Sequence, residues 1–235
     1  MTDLDARTQA KLEAGHAAVD RYVRSGMRIG LGTGSTAVWA IRRVGELLAD
    51  GTLAAIEAVP TSEASAAEAR ARGIPLTTLD ADARLALTID GADEVSPSLV
   101  LIKGGGGAHL REKIVAQASD RLIIVVDEVK LVPVLGTTFA VPVEVITMAQ
   151  RPEREFLESL GASVTPRTTP NGEAFVTDEG NHILDARFGP IEDPAGLLRR
   201  LEQRAGIVEV GLFLGMASVV LVAGDDGLRE LTRVS

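Results

Sequence analysis

Residues 121 to 128 read RLIIVVDE, with five aliphatic side chains in succession from Leu122 to Val126. Successive side chains of a strand point to opposite faces, so a strand with one wet face alternates apolar and polar residues. Five in a row leave no wet face. The segment must be covered on both sides, and the arrangement that does this is a parallel sheet flanked by helices. Shorter apolar runs repeat the theme in MRIGL, AAIEAVP, LALTID and LVLIK. Between them lie segments with helical spacing: residues 4 to 24, with Leu12, Val19, Tyr22 and Val23 returning on one face, then VWAIRRVGELLADG, SEASAAEARARG and AHLREKIVAQAS. Strand and helix alternate, as in a doubly wound α/β domain. Aromatics are only 3% of the chain against 46% apolar residues, so the core is built from Ala, Val, Leu and Ile.

After Lys130 the rhythm changes. VPVEVI reads as a strand and RPEREFLESLG as a helix with Pro152 in its first turn. SVTPRTT, EAFVTD and NHILDARF read as strands joined at Asn171-Gly172 and Glu179-Gly180. DPAGLLRRLEQRAG is a helix with Asp193 as N-cap, and IVEVGLF is a strand. That order, β-α-β-β-α-β, is a ferredoxin-like unit. ASVVLVAG and DDGLREL then supply a last strand and a helix. The reading is an α/β fold, a Rossmann-like doubly wound domain over 1–135 and 208–235, with a ferredoxin-like α+β lid domain inserted at 136–207.

Three strand ends carry polar clusters. GLGTGSTA (30 to 37) stands where a strand hands over to a helix, and a helix N-terminus favours an anion. The Thr33, Ser35 and Thr36 hydroxyls add donors there. It is neither a P-loop nor a dinucleotide fingerprint, since its glycines give GxGxG; a plain tight turn with an N-cap is the alternative. TIDGADE (88 to 94) ends a strand with Asp90, Asp93 and Glu94, which suit acid/base work, magnesium ligation or a polar turn with Asx caps. IKGGGGAHLREK (102 to 113) repeats the strand, glycine turn and helix, with Lys103 at the strand end. Glycines let a backbone approach a ligand closely and present several N–H groups. Glu112 lies opposite Leu110 and Ile114 on its helix, so the pattern makes it non-core. By themselves Lys11 and Lys130 read as solvated charges, and His109 as a helix N-terminal residue.

The net charge of −9 argues against nucleic-acid binding. There is no cysteine, and the three histidines share no metal-ligand spacing. The first residues are charged, without the apolar core of a secretory signal, and no apolar stretch is long enough to span a bilayer. A cytoplasmic chain acting on a small phosphorylated substrate is the expectation. A carboxylate base can move a proton beside a carbonyl if donors meet the developing oxyanion.

In GLGTGSTA, PTSEAS, IDGADEV, IKGGGGAHLREKIV, VPVEVI, VTDEGNHILD and VGLF the chain resembles ribose-5-phosphate isomerase of type A, in matching order over nearly its whole length. The resemblance implies interconversion of D-ribose 5-phosphate and D-ribulose 5-phosphate through an enediolate, without metal or organic cofactor. It implies that Glu112 is the general base, shuttling a proton between C2 and C1. Lys103 and the amides of Gly104, Gly105 and Gly106 would stabilise the enediolate oxygens. Asp90 and Asp93, with Gly91 and Ala92 between them, would bind sugar hydroxyls and assist ring opening and proton exchange. Ser35 and Thr36 would hold the phosphate, Thr33 and Gly34 would line the pocket, and Lys11 and Lys130 would face the phosphate. Family members are usually homodimers or homotetramers. Gly107, Ala108 and His109 depart from the family pattern, as does ARFGPIED. A sugar-phosphate sensor on the same fold is the alternative, though it would be expected to lack the base or the lysine. An amino-sugar phosphate isomerase/deaminase needs an acid/base histidine with a carboxylate partner, and a CoA transferase needs a basic groove; neither is apparent.

Overall fold

The uninterrupted apolar run becomes β6 (Leu122–Asp127), and all six of its side chains are buried. In chain order, the computed structural model, which describes residues 5–233, begins with α1 (Ala6–Tyr22), β1 (Arg28–Leu31), α2 (Ala37–Ala49), β2 (Glu57–Pro60), α3 (Glu63–Ala71) and β3 (Leu87–Asp90). β4 (Glu94–Val95), β5 (Leu101–Ile102), α4 (His109–Gln117) and β6 follow. Next are β7 (Val141–Val145), α5 (Gln150–Ser159), β8 (Ser163–Pro166), β9 (His182–Arg187), α6 (Pro194–Glu202) and β10 (Ile207–Val210). The chain closes with β11 (Leu212–Phe213), β12 (Ala217–Gly224) and β13 (Gly227–Thr232). Residue 4 of the expected first helix, and the outer ends 1–4 and 234–235 of the expected first domain, lie outside the described residues.

Two compact units divide the chain. The first comprises the chain up to Ala92, Arg111–Lys130 and the chain from Met216 on. The second comprises Asp93–Leu110 and Leu131–Gly215. It is wider than the 136–207 stretch read from the sequence, because β4, β5 and β11 pair among themselves in a separate three-stranded sheet, order β11-β5-β4.

The first unit holds a six-stranded sheet of order β13-β12-β6-β3-β1-β2. β12, β6, β3, β1 and β2 are parallel neighbours, and β13 is an antiparallel edge. Alternation selects one face of it: Ile29 and Leu31, Leu87 and Ile89, Ile123 and Val125, and Val219, Leu221 and Ala223 enter one cluster with α1 and α2. Val59, Leu85 and Val115 of α4 form a second, smaller cluster. The chain steps from β1 outward to β2, then returns across β1 to β3. The order therefore reverses between β1 and β3, the kind of place where open α/β sheets bind ligands beyond their carboxyl ends.

The second unit contains a four-stranded antiparallel sheet, order β10-β7-β9-β8, with α5 and α6 in its crossovers. This is the ferredoxin-like order read from the sequence. Asp193 caps α6, accepting from Gly196 N at 2.8 Å. Its core gathers Val141, Val143, Val145, Leu157, Leu184, Leu201 and Val210.

Three expectations are corrected. LVLIK does not join the parallel sheet; β5 pairs antiparallel with β4 and β11. EAFVTD is no strand beyond one bridge, Thr168 to Ala174; its turns at 171–172 and 179–180 form, but they leave too little straight chain between them. DDGLREL is no helix: Asp225 and Asp226 turn the chain, and β13 pairs with β12 from Gly227 to Thr232. Leu228 and Leu231 mimic helical spacing, but the open edge of β12 supplies a full ladder of partners, and that outweighs a weak local propensity.

Candidate active site

In the first unit, β1 and β3 run side by side and end together. Asp90 is fully buried, and its Oδ1 accepts from Thr33 N at 3.1 Å and from Gly91 N at 2.7 Å. The contact requires glycine at 32: a Cβ there would lie 2.3 Å from Asp90 Oδ1 and 2.5 Å from Asp90 Cα. The two strand ends are thus locked into one polar floor, with the exposed Gly34 and Ser35 above the start of α2.

The hydroxyls divide their work. Thr33 Oγ1 donates to Ser62 Oγ at 2.7 Å and lies 2.8 Å from Thr61 Oγ1, so its single proton is already used. It braces the turn and is not the free donor expected from the sequence. Lys11 Nζ donates to Ser35 Oγ at 2.9 Å. Ser35 accepts there and so keeps its own proton to donate. Lys11 is therefore brought to the turn, which the sequence alone did not require. Thr36 occupies the N-cap of α2, buried, and makes no capping bond with its side chain. A cavity of about 260 Å³ opens beside Gly32, Thr33 and Gly34, walled by Val38, Ile41 and Ser65. Lys130 ends a 3-10 turn directly after β6, half-buried.

Glu112 stands in the first turn of α4 and is 4% exposed. The expected helix face is reversed: Ile114 is 44% exposed, whereas Lys113, Val115 and Ala116 are buried. An apolar pair three or four residues apart is a weak guide when polar residues must be enclosed.

The second unit carries Asp93, Lys103 and the glycine run. Asp93 Oδ2 accepts from Gly105 N at 2.7 Å, and a Cβ at Gly105 would lie 2.6 Å from Asp93 Oδ1. Gly104 has φ +107°, and a Cβ there would strike the His109 ring at 2.8 Å. Gly105 and Gly106 are exposed. Lys103 is 2% exposed; its N–H donates to Gly211 O at 2.9 Å, and its Nζ lies 5.4 Å from the Phe213 ring centroid. A buried ammonium at a strand end, beside amides with no side chains to shield them, is suited to meeting negative charge.

Glu94 has a different part. Its carboxylate accepts from Gly136 N, Thr138 N and Thr138 Oγ1, each at 2.6 Å, and from Phe139 N at 2.7 Å. It knits a loop of the second unit. His109, which begins α4, is fully buried, with Nε2 3.4 Å from Glu209 O and 3.9 Å from Glu144 Oε2. Burial pushes the Glu144 carboxyl above its ordinary range. Sequence reasoning missed Arg167, whose guanidinium donates to Gly104 O and Gly105 O; no motif surrounds it. Among the described residues no group of three or more His, Asp or Glu side chains is arranged to hold a metal ion, and no helix is long and apolar enough to cross a membrane.

Over nearly its whole length the chain is similar to known proteins. The family model for Ribose 5-phosphate isomerase A (phosphoriboisomerase A) matches residues 57–227. The chain is 52% identical over 231 residues to the ribose-5-phosphate isomerase A of Desulfatibacillum aliphaticivorans, across 98% of this chain and 99% of that one. It is 53% identical over 225 residues to that of Chloroflexus aurantiacus, across 96% and 94%. The solved ribose 5-phosphate isomerase from Plasmodium falciparum superposes with a TM-score of 0.93 at 41% identity, covering 97% of this chain and all of that one. A D-ribose-5-phosphate isomerase solved in complex with phospho-erythronic acid gives a TM-score of 0.93 at 38% identity, covering 96% and 98%.

Proposed function

The chain belongs to the ribose 5-phosphate isomerase A family, and from that membership we propose how its residues carry the reaction. It is an isomerase interconverting D-ribose 5-phosphate and D-ribulose 5-phosphate. The observation that carries the reading is the agreement with the family over almost the entire chain, joined to a polar floor at the β1/β3 strand ends.

The phosphate is assigned to the turn before α2. Amides at a helix N-terminus, the Ser35 proton and the Lys11 ammonium converge there, which is the chemistry an anion needs. Thr36 and Lys130 complete that set, with Thr33 and Gly34 as its lining. Glu112 is assigned the base. It takes the proton from C2 of the open-chain aldose and returns it to C1, while electron density moves through an enediolate onto the oxygens. Lys103 and the Gly104 and Gly106 amides are assigned to those oxygens, where the interaction grows with the developing charge, while the Gly105 amide holds Asp93. Asp90 and Asp93, flanking Gly91 and Ala92, are assigned to the sugar hydroxyls and to proton exchange between O1 and O2. Phospho-erythronic acid, a shorter acid phosphate bound by a relative, is proposed to compete with substrate here.

We also propose a cytoplasmic homodimer or homotetramer. Met148 and Ile146, 87% and 37% exposed, offer apolar surface on the second unit to another copy, and sedimentation equilibrium decides the number.

The test is a coupled assay of ribulose 5-phosphate formation with EDTA present, run on the parent chain and on Glu112→Gln. The expected result is turnover by the parent and a loss of roughly 100- to 10,000-fold in the variant, as for removal of a general base. Calorimetry should find ribose 5-phosphate still bound by the variant. Undiminished turnover would remove Glu112 from its role, and binding without turnover by the parent would leave a sensor.

A further inference from the structure

Arg167 is remote from every motif in the sequence, yet its guanidinium lies on the glycine run. It follows β8 directly. Its N–H donates to Ile183 O at 2.8 Å and its carbonyl accepts from Phe175 N at 3.0 Å, so its main chain is held from both sides. The side chain is held as well. Nε and Nη2 form a fork on the Asp185 carboxylate at 2.9 and 2.5 Å, and the guanidinium carbon lies 5.8 Å from the Phe175 ring centroid. From this anchor Nη1 donates to Gly104 O at 2.7 Å and to Gly105 O at 3.3 Å. The Arg167 side chain is only 12% exposed.

A trans peptide carries its C=O and N–H on opposite edges, and the described chain has no cis peptide bond. A cation on the carbonyls of Gly104 and Gly105 therefore turns the N–H groups of Gly105 and Gly106 to the far edge. For Gly105 the result is visible, since that N–H reaches Asp93 Oδ2. Glycine peptides rotate with little steric resistance, so their planes need an external tether to stay aimed. His109 fills the space beside Gly104 and limits the loop from another side.

We infer that Arg167 is a positioning residue for the isomerisation. It fixes two peptide planes so that the Gly105 amide holds Asp93 and the Gly106 amide is presented to the developing oxyanion. Its charge, on the carbonyl edge of both, polarises those N–H bonds. Asp185 keeps the guanidinium in place, and Arg167 touches no reacting atom. The inference rests on the isomerase reading.

The experiment compares the parent, Arg167→Met and Arg167→Lys as whole chains, with kcat and KM referred to folded molecules counted by circular dichroism. Arg167→Met should lower kcat roughly ten- to a hundred-fold, less than removing an oxyanion donor outright, with KM changed by less than about threefold. Arg167→Lys, which reaches one carbonyl but not both, should fall between, and added guanidinium ion should restore part of the loss in the Met variant. Parental kcat per folded molecule in both variants would overturn the role, and so would a rise in KM at unchanged kcat. An inactive parent would instead remove the isomerase reading and this inference with it.

Discussion

At Gly105 the smallest possible addition is informative. Alanine would put a methyl group 2.6 Å from Asp93 Oδ1, closer than real contacts allow, and a tight 3.0 Å from its Cγ. Asp93 must move, and the 2.7 Å bond from Gly105 N is lost. Because the site is exposed, Gly105→Ala should leave the melting temperature within a few degrees. It should cut kcat roughly tenfold to a hundredfold, since a displacement near 1 Å costs about that much; steady-state kinetics beside a thermal melt checks both halves. The polar clusters were legible from their places at strand ends, Asp90 and Asp93 at one and Lys103 before the glycines at another, whereas the part expected of Glu112 came from the family resemblance and not from its spacing. The burial of Glu112 was not legible, because Leu110 and Ile114 suggested a different inner face. Arg167 was invisible for a simpler reason. Its partners Gly104 and Asp185 are distant in the chain, and only the folded second unit collects them.

Single elements depend on such long-range partners too. β4 is only two residues long, and what anchors it is the Glu94 carboxylate with its four donors from the 136–139 loop. Glu94→Ala would leave the buried Gly136 N–H without that acceptor, while water can reach the exposed Thr138 and the half-buried Phe139 in its place. An enclosed donor left unpaired costs about 1–3 kcal/mol, so the variant should lose about that much, read as a lower urea midpoint. Helices and long strands were readable because their signals are local: Asp193 three residues before Gly196, the aliphatic run of β6, the apolar periodicity of α2. β13 was misread because its strand character comes from the register against β12, which no local window contains.

For the molecule as a whole, acidity is a lever on stability. Glu144 is buried and its carboxyl titrates above the ordinary range, with Thr177 and Asn181 donating to Oε1 at 2.9 Å. A carboxyl raised in the folded state holds its proton longer there than in the unfolded chain, so stability falls as pH rises through that window. Glu144→Gln has no proton to lose. Its melting temperature relative to the parent should therefore climb as pH rises above the ordinary carboxylate range, and a flat difference would contradict the assignment. Two units were foreseen from the change of rhythm after Lys130. Their membership was not, because β4, β5 and β11 are too short to announce a sheet. One feature of the first unit also bears on how the chain is made. β12 lies between β6 and β13, yet in the chain it comes only after the whole 131–215 stretch of the second unit. Until Ala217–Gly224 emerge, the aliphatic ribbon of Leu122–Asp127 waits with one rim bare, open to any neighbouring nascent chain. A message cut short before residue 217 would leave that rim bare for good, and its product would be a candidate for clumping.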